Sequence, residues 1–592
     1  MRPKFSLAGP VFAALVLIAP LANATPYASG VSINAGIVTF ILNESADNVT
    51  VRFDGGASSQ DMGALAAGTH TFNMGGATSF EIVVKKDSPA GYTQGVLNQI
   101  SSDSNVLNRF ANQRGVAVNK NPNSPAFGRI YVSVSAAGTA EGRSLTEGIY
   151  VMNADQSEIA TLGTNALTGG LNFATGGTES PHRVTVGPDN NLYIGDWSDP
   201  SGTLYVTDAN VANGQNMLEG VGGPCPLTTS RIHGSISGAW IEGSLATGDL
   251  VVYVIDEDLQ TDRTASCVAG AGTERNSIWR WDIGAGPLPA TTPPTKFASP
   301  LIVTDAQLAD LARGPDGKWY VSQRRAEPAN SSGVFVRNPD GTALWSSLAA
   351  TRTLFPGAVD ILGETCAVDV SPDGKWMATL RRDTNVFVHL LPLIDGVPDI
   401  TNRLAIQTFP SISFGRDLGF DAAGNLYYVS SGQALLRVLS PGGNTTATTR
   451  SDGTFDVQVV PVPRVSVVVA DADGAEDATD TMSFTLTRTG DLTDALTVNY
   501  TMSGAAQNGA DYAALPLTVE FPPGEPNVTV TVTPIDDTVA EFTESVVFNL
   551  ATGSEYMLQS PTSATASILD NEFPTLRLTG GSKTNVFEPL PR

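Results

Sequence analysis

Val368-Asp369-Val370-Ser371-Pro372-Asp373-Gly374-Lys375-Trp376-Met377-Ala378 decides most of the fold. An apolar run leads into a Pro-Asp-Gly corner, and an aromatic-led apolar run leads out. Proline fixes φ near about −65° at the first corner and glycine accepts the positive φ that follows, so the two runs fold back as a β-hairpin. The same frame returns at Val184–Ile194, Leu311–Val321 and Leu418–Tyr428, and more loosely at Gly115–Val118 leading to Ile130–Val132. Val251-Val252-Tyr253-Val254 reads as a sixth copy. Recurrence at roughly 50 to 70 residues suits sheets repeated around an axis.

These turns, Ser371–Trp376 (SPDGKW) and Pro188–Tyr193 (PDNNLY), resemble those of TolB-like and gluconolactonase-like β-propellers. The resemblance implies a propeller over residues 105–460, of six to eight blades with six favoured. It implies a fold and leaves the chemistry open.

Composition agrees with an all-β chain. Of 592 residues, 41% are hydrophobic and only 16% charged, with 59 Gly and 37 Pro. The net charge of −25 repels phosphate backbones, so no nucleic-acid partner is expected. Cations are the natural small partners.

The N-terminus carries Arg2 and Lys4, an apolar run from Val11 to Ile18, and Ala22-Asn23-Ala24. This is the pattern of a secretory signal peptide over residues 1–24, cleaved after Ala24. The run is well short of the ~20 residues that span a bilayer, so no transmembrane segment is expected in the mature chain, which is read as secreted or cell-surface. Residues 25–100 alternate in short strands such as Val49–Phe53 and Phe80–Val84, the pattern of a small Ig-like β-sandwich. Among three cysteines, Cys225 and Cys267 are expected to pair within one Gly-rich insertion, and Cys366, in an apolar run, to be a buried inert thiol.

Residues 464–572 differ. Two basic residues, Arg464 and Arg488, face seventeen acidic ones, so this segment carries fifteen of the net negative charges. The acids cluster between clear strands, and strand ends of a sandwich converge at its poles. Hard oxygen donors at such density suit Ca²⁺, whereas Zn²⁺ would draw His or Cys, of which the segment has none.

Four ordered motifs, Gly509–Tyr512 (GADY), Phe521–Glu525 (FPPGE), Pro534–Leu550 (PIDDTVAEFTESVVFNL) and Ile568–Glu572 (ILDNE), resemble a Calx-beta domain. The resemblance implies a seven-stranded sandwich with a calcium pole, its ligands matching Glu476, Asp511, Asp536, Asp537, Glu541, Glu544 and Asp570. Asn571 departs from a run that is fully acidic in the best calcium binders. Residues 573–592 read as the start of an incomplete second repeat or a tail.

Enzyme signatures are sparse. The histidines His70, His182, His233 and His389 lack zinc-protease spacing, and Gly234–Gly238 (GSISG) is no nucleophile elbow. Each histidine is read as a surface or hydrogen-bonded loop residue. Asp196 and Asp256 follow matched strand tyrosines by three residues, and the resemblance to gluconolactonase-like propellers implies that with Glu327 they are candidate ligands of a metal-dependent lactonase or hydrolase; the matched positions elsewhere are Val134, Gln323, Leu380 and Ser430. The leading expectation is a non-catalytic secreted or cell-surface binding protein. Its Calx-beta module would bind Ca²⁺, and its propeller face would take an extracellular protein or carbohydrate.

Overall fold

A computed structural model describes residues 25–572 apart from 88–97, 174–179, 198–202, 219–235, 257–276, 299–306, 325–332, 383–386, 408–413, 441–443 and a few isolated positions. Residues 1–24 and 573–592 lie outside the described residues, as do Cys225, Cys267, His233 and Glu327. Contacts divide the chain into two compact units, one within residues 1–459 and the other chiefly residues 460–592. Among the described residues no helix is long and apolar enough to cross a membrane.

Each repeated unit supplies the two inner strands of one antiparallel sheet. The first sheet joins Gln113–Val118, Ile130–Val134 and Gly148–Met152, and the second begins with Val184–Val186 and Leu192–Gly195. The third to sixth open with Ile236–Glu242, Gln307–Arg313, Thr365–Val370 and Gly415–Phe420. Each opening strand touches the next and the sixth touches the first, so the six sheets form a closed ring of propeller-like geometry. At the hairpin corners Gly317, Gly374 and Gly424 have φ of 80°, 68° and 83°, and Asn190 takes the same place at 67°. Asp189, Asp316 and Asp373 each accept the amide two residues on, at 3.1 Å.

The ring is closed by a segment far away in sequence. Asn98–Gln99 pairs with Leu435–Ser440 as the outer strand of the sixth sheet. After that sheet the chain leaves the ring. Asn444–Arg450 pairs with Phe80–Lys86, and Phe455–Val460 lies beside it, so a five-stranded sheet of the N-terminal sandwich is completed by strands some 370 residues later. No local pattern announces either of these long-range pairings. Tyr27 anchors the sandwich to the ring, packing its ring 5.4 Å from Phe127 and 5.6 Å from Phe455.

The second unit is a two-sheet sandwich. One sheet orders Asn527–Val532, Met482–Thr489, Arg464–Asp471 and Met557–Leu558. The other orders Asp473–Ala475, Ser563–Leu569, Glu544–Leu550, Leu496–Gly504 and Thr518–Phe521. Met482–Thr489 alternates buried and half-buried residues, as a strand with one core face must. Phe548 stacks on Tyr500 at 4.2 Å and meets Phe484 at 5.2 Å in the core.

Candidate functional site

The acidic pole of the sandwich is built by strand ends. Asp473–Ala475 runs parallel to Ser563–Leu569, with Ala475 opposite Leu569, and Glu476 N–H donates to the Leu569 carbonyl at 3.1 Å. This puts Glu476 beside Asp570 and Glu572. On the same edge Glu544 opens its strand opposite Ile568. Asp511 is held in its turn because its carboxylate accepts Gln507 N–H at 2.6 Å and its carbonyl accepts Ile535 N–H at 3.0 Å.

Two carboxylate trios result. Glu476, Asp570 and Glu572 form one, and Asp511, Glu541 and Glu544 the other; within each, one oxygen per residue lies within 4.8 Å of the others. Glu476 is only 3% exposed, and Oε2 of Glu476, of Glu544 and of Glu572 has no hydrogen-bond partner among the described residues. Burial, then the charges of Asp570, Asp537, Glu541 and Glu572, push the Glu476 carboxyl up to about 7. Burial and the neighbouring Asp511 and Glu541 raise Glu544 as well. The amides of Glu572 and Glu541 hold Asp570 below its usual range, while sharing a hydrogen bond with Asp570 raises Glu572. Both basic residues sit at the other ends of their strands: Arg464 pairs with Thr489, whereas Asp471 pairs with Ser483. Buried carboxylate oxygens without donors or countercharge fit a hard cation with many oxygen ligands, which answers the chemistry expected of Ca²⁺.

Of the residues picked from sequence, Glu476, Asp511, Glu541, Glu544 and Asp570 enter the trios. Asp536 and Asp537 lie beside them. Asp537 accepts Val539 N–H at 2.7 Å and adds its charge to Glu476, and Asp536 accepts the Asn571 side-chain amide at 3.2 Å. Glu572, not among the residues picked from sequence, joins the first trio. The signal was present in Ile568–Glu572, where alternate acids after a strand share one side.

The ring has a different polar centre. Arg183, just before the opening strand of the second sheet, pairs with Asp417 and, at 3.2 Å, with Asp310; it also donates to the Cys366 carbonyl. Asp310 accepts Val368 N–H and Asp417 accepts Val116 N–H, both at 2.9 Å, so each acid ties its own sheet to the next. Burial raises both carboxyls, that of Asp417 to about 8, against the lowering pull of Arg183. Gly115 makes room. A Cβ there would lie 2.9 Å from Arg183 Cα, the His182 carbonyl oxygen and Val184 N. On one side of this plug a cavity of about 500 Å³ is lined by Trp240, Ile241, Val186, Lys120 and Asp369 among others.

Asp196 and Asp256 are both fully buried, and among the described residues neither belongs to a group of three potential metal ligands. Asp256 pairs with the residue before a β-bulge in its opening strand, and the residues that do so in the fourth and fifth sheets are Arg324 and Arg381, not Gln323 and Leu380. Two histidine readings also change. His389, 4% exposed, lies on the strand Phe387–Ile394 and not in a loop, and His182, just before Val184–Val186, is 1% exposed and so not a surface residue. Cys366 is fully buried, which pushes its thiol up to about 11, as an inert thiol requires.

No curated protein matches the chain. Among solved structures, the apo-form Calx CBD1 domain is 25% identical over 18% of this chain and 98% of that one, with a TM-score of 0.17. The calcium binding domain CBD12 of CALX1.1 is 25% identical over 18% of this chain and 44% of that one, with a TM-score of 0.16. A candidate gluconolactonase is 12% identical over 60% of this chain and 94% of that one, with a TM-score of 0.31. The family model of the Calx-beta domain matches residues 449–572, and the chain therefore carries a Calx-beta domain there.

Proposed function

We propose that the Calx-beta domain binds Ca²⁺ at its acidic pole, and that the chain is a secreted or cell-surface binding protein whose ring faces an extracellular protein or carbohydrate. The observation that carries the metal reading is the pair of carboxylate trios with buried, donor-free oxygens on Glu476 and Glu544. Glu476, Asp570 and Glu572 would hold one ion and Asp511, Glu541 and Glu544 another, with Asp536 and Asp537 adding charge. A bound divalent cation supplies the positive charge that this pole lacks. The residues themselves do the rest: Asp511 and Asp570 are fixed by backbone amides, so their loops are already shaped and little ordering opposes binding.

Calorimetric melting of the full chain in Ca²⁺, Mg²⁺ and chelator tests the reading. A ligand that binds only the folded state adds about 2.7 kcal/mol at one hundred times its Kd. A Ca²⁺-selective rise in one transition is expected, lost on Glu476→Gln with Glu544→Gln and weakened on Asp536→Ala with Asp537→Ala. An identical melt in Ca²⁺ and chelator would refute it.

A further inference from the structure

The loop that crosses the acidic pole carries apolar side chains as well as acids. It leaves Asn527–Val532 in one sheet of the sandwich and enters Glu544–Leu550 in the other, so it passes over the pole instead of extending either sheet. Phe542, in that loop, is 94% exposed, more than any other large hydrophobic residue among those described. Val539 is 56% exposed, and Ile535 and Leu569 are exposed as well. Phe484 and Phe548 of the same sandwich are fully buried, so the domain covers its aromatic side chains elsewhere and leaves this one in water.

Each of these residues is tied to an acid of the pole. Glu541 N–H donates to Asp570 Oδ2, so Phe542, one residue after Glu541, and Leu569, one residue before Asp570, flank a single amide–carboxylate contact. Val539 N–H donates to Asp537 Oδ1 at 2.7 Å, and Ile535 N–H to the Asp511 carbonyl at 3.0 Å. A lone exposed Val or Leu needs no explanation, but four such residues set among uncompensated carboxylates do. The apolar groups gain by leaving water, while the acids repel any anionic surface that would cover them. Arg464 and Arg488 stand at the other ends of their strands, so the domain's own charges do not reverse that repulsion.

We propose that, once Ca²⁺ has neutralised the pole, this face docks on a phospholipid surface with anionic headgroups, Phe542 and Val539 entering the boundary between headgroups and acyl chains. The inference rests on the calcium reading above. Such a surface presents anionic oxygens directly over hydrocarbon, the same pairing of charge and apolar contact that the pole presents from its side. Three carboxylates, with both Asp570 oxygens already accepting amides, supply only part of the roughly six to eight oxygens that Ca²⁺ takes. Headgroup phosphates and carboxylates are oxygen donors of the required kind. A bilayer also accepts protruding side chains without shape complementarity, which favours it over the groove of a protein partner.

The test is co-sedimentation of the full chain with vesicles of phosphatidylcholine and phosphatidylserine, and of phosphatidylcholine alone, in Ca²⁺ and in chelator, beside the melt of the same samples without lipid. Binding to the phosphatidylserine vesicles in Ca²⁺, lost in chelator and weak on phosphatidylcholine, is expected. Phe542→Ser with Val539→Ser should weaken it about tenfold and leave the Ca²⁺ shift of the melt intact, because both side chains are exposed and neither is a ligand. Val359→Ser, at an equally exposed site in the other unit, should change nothing. A Ca²⁺ shift of the melt without vesicle binding overturns this proposal alone and points to a protein partner for the face. Vesicle binding that survives chelator, or is undiminished in the Phe542 and Val539 variant, overturns it too. Loss of both the shift and the binding removes the calcium reading and this inference together.

Discussion

The plug of the ring and the pole of the sandwich both bring acids together, and they treat them in opposite ways. Asp310 and Asp417 are buried around Arg183 and capped by amides of the neighbouring sheets, so every acceptor finds a donor or a countercharge inside the protein. Glu476 and Glu544 are drawn toward other acids, and an oxygen of each is left without a donor. A compensated buried acid is part of the frame, and an uncompensated one is an invitation to a ligand.

The sharpest way to break this contrast is to remove the cation that pairs with both plug acids. Arg183→Met should destabilise the ring unit by about 3 to 5 kcal/mol, because two buried carboxyls lose their partner. Denaturant unfolding followed by tryptophan fluorescence reads it, and a loss below 1 kcal/mol would mean that the acids are neutral and the plug is not ionic. At the pole the same logic predicts the reverse: without metal, Glu476→Gln should stabilise the domain by relieving repulsion, while abolishing the Ca²⁺ gain of about 2.7 kcal/mol at one hundred times Kd. A metal-free domain weakened by that change would show that Glu476 is structural.

Gly115→Ala probes the space around the plug. Its Cβ would meet three backbone atoms at 2.9 Å, which no side chain can relieve, so a cost of about 1 to 3 kcal/mol is expected by thermal melting. The smallest effect is one of pH. Glu476 titrates near 7 when folded, above an ordinary carboxyl at about 4.3, so between those values the native state holds more protons than the unfolded one. Metal-free stability therefore falls as pH rises through that window and levels off above 7. Ca²⁺ needs the carboxylate, so its affinity should rise about tenfold between pH 6 and pH 8, measured by titration calorimetry. A flat affinity across that range would remove Glu476 from the site.

Much of this was legible in the residues. The Pro-Asp-Gly frames gave the two inner strands of the ring's sheets, since turn chemistry is local. The acidic motifs located the pole because strand ends must converge there. Glu572, two residues beyond Asp570, meets Glu476 only through the pairing of Asp473–Ala475 with Ser563–Leu569. The plug was not visible at all, since Arg183, Asp310 and Asp417 are separated by more than a hundred residues and look like ordinary strand polar groups.

What the sequence by itself determined is the kind of element at each place: hairpin, turn, acidic loop, apolar run. These depend on backbone preferences and burial patterns that act over a few residues. Only the tertiary structure decided which elements share a sheet, as when Asn98–Gln99 joins Leu435–Ser440 and Asn444–Arg450 joins Phe80–Lys86. It alone decided which charges face one another. Strand pairing and ring closure act between segments hundreds of residues apart, and the electrostatic environment of a side chain is set by those neighbours and not by its own stretch of chain.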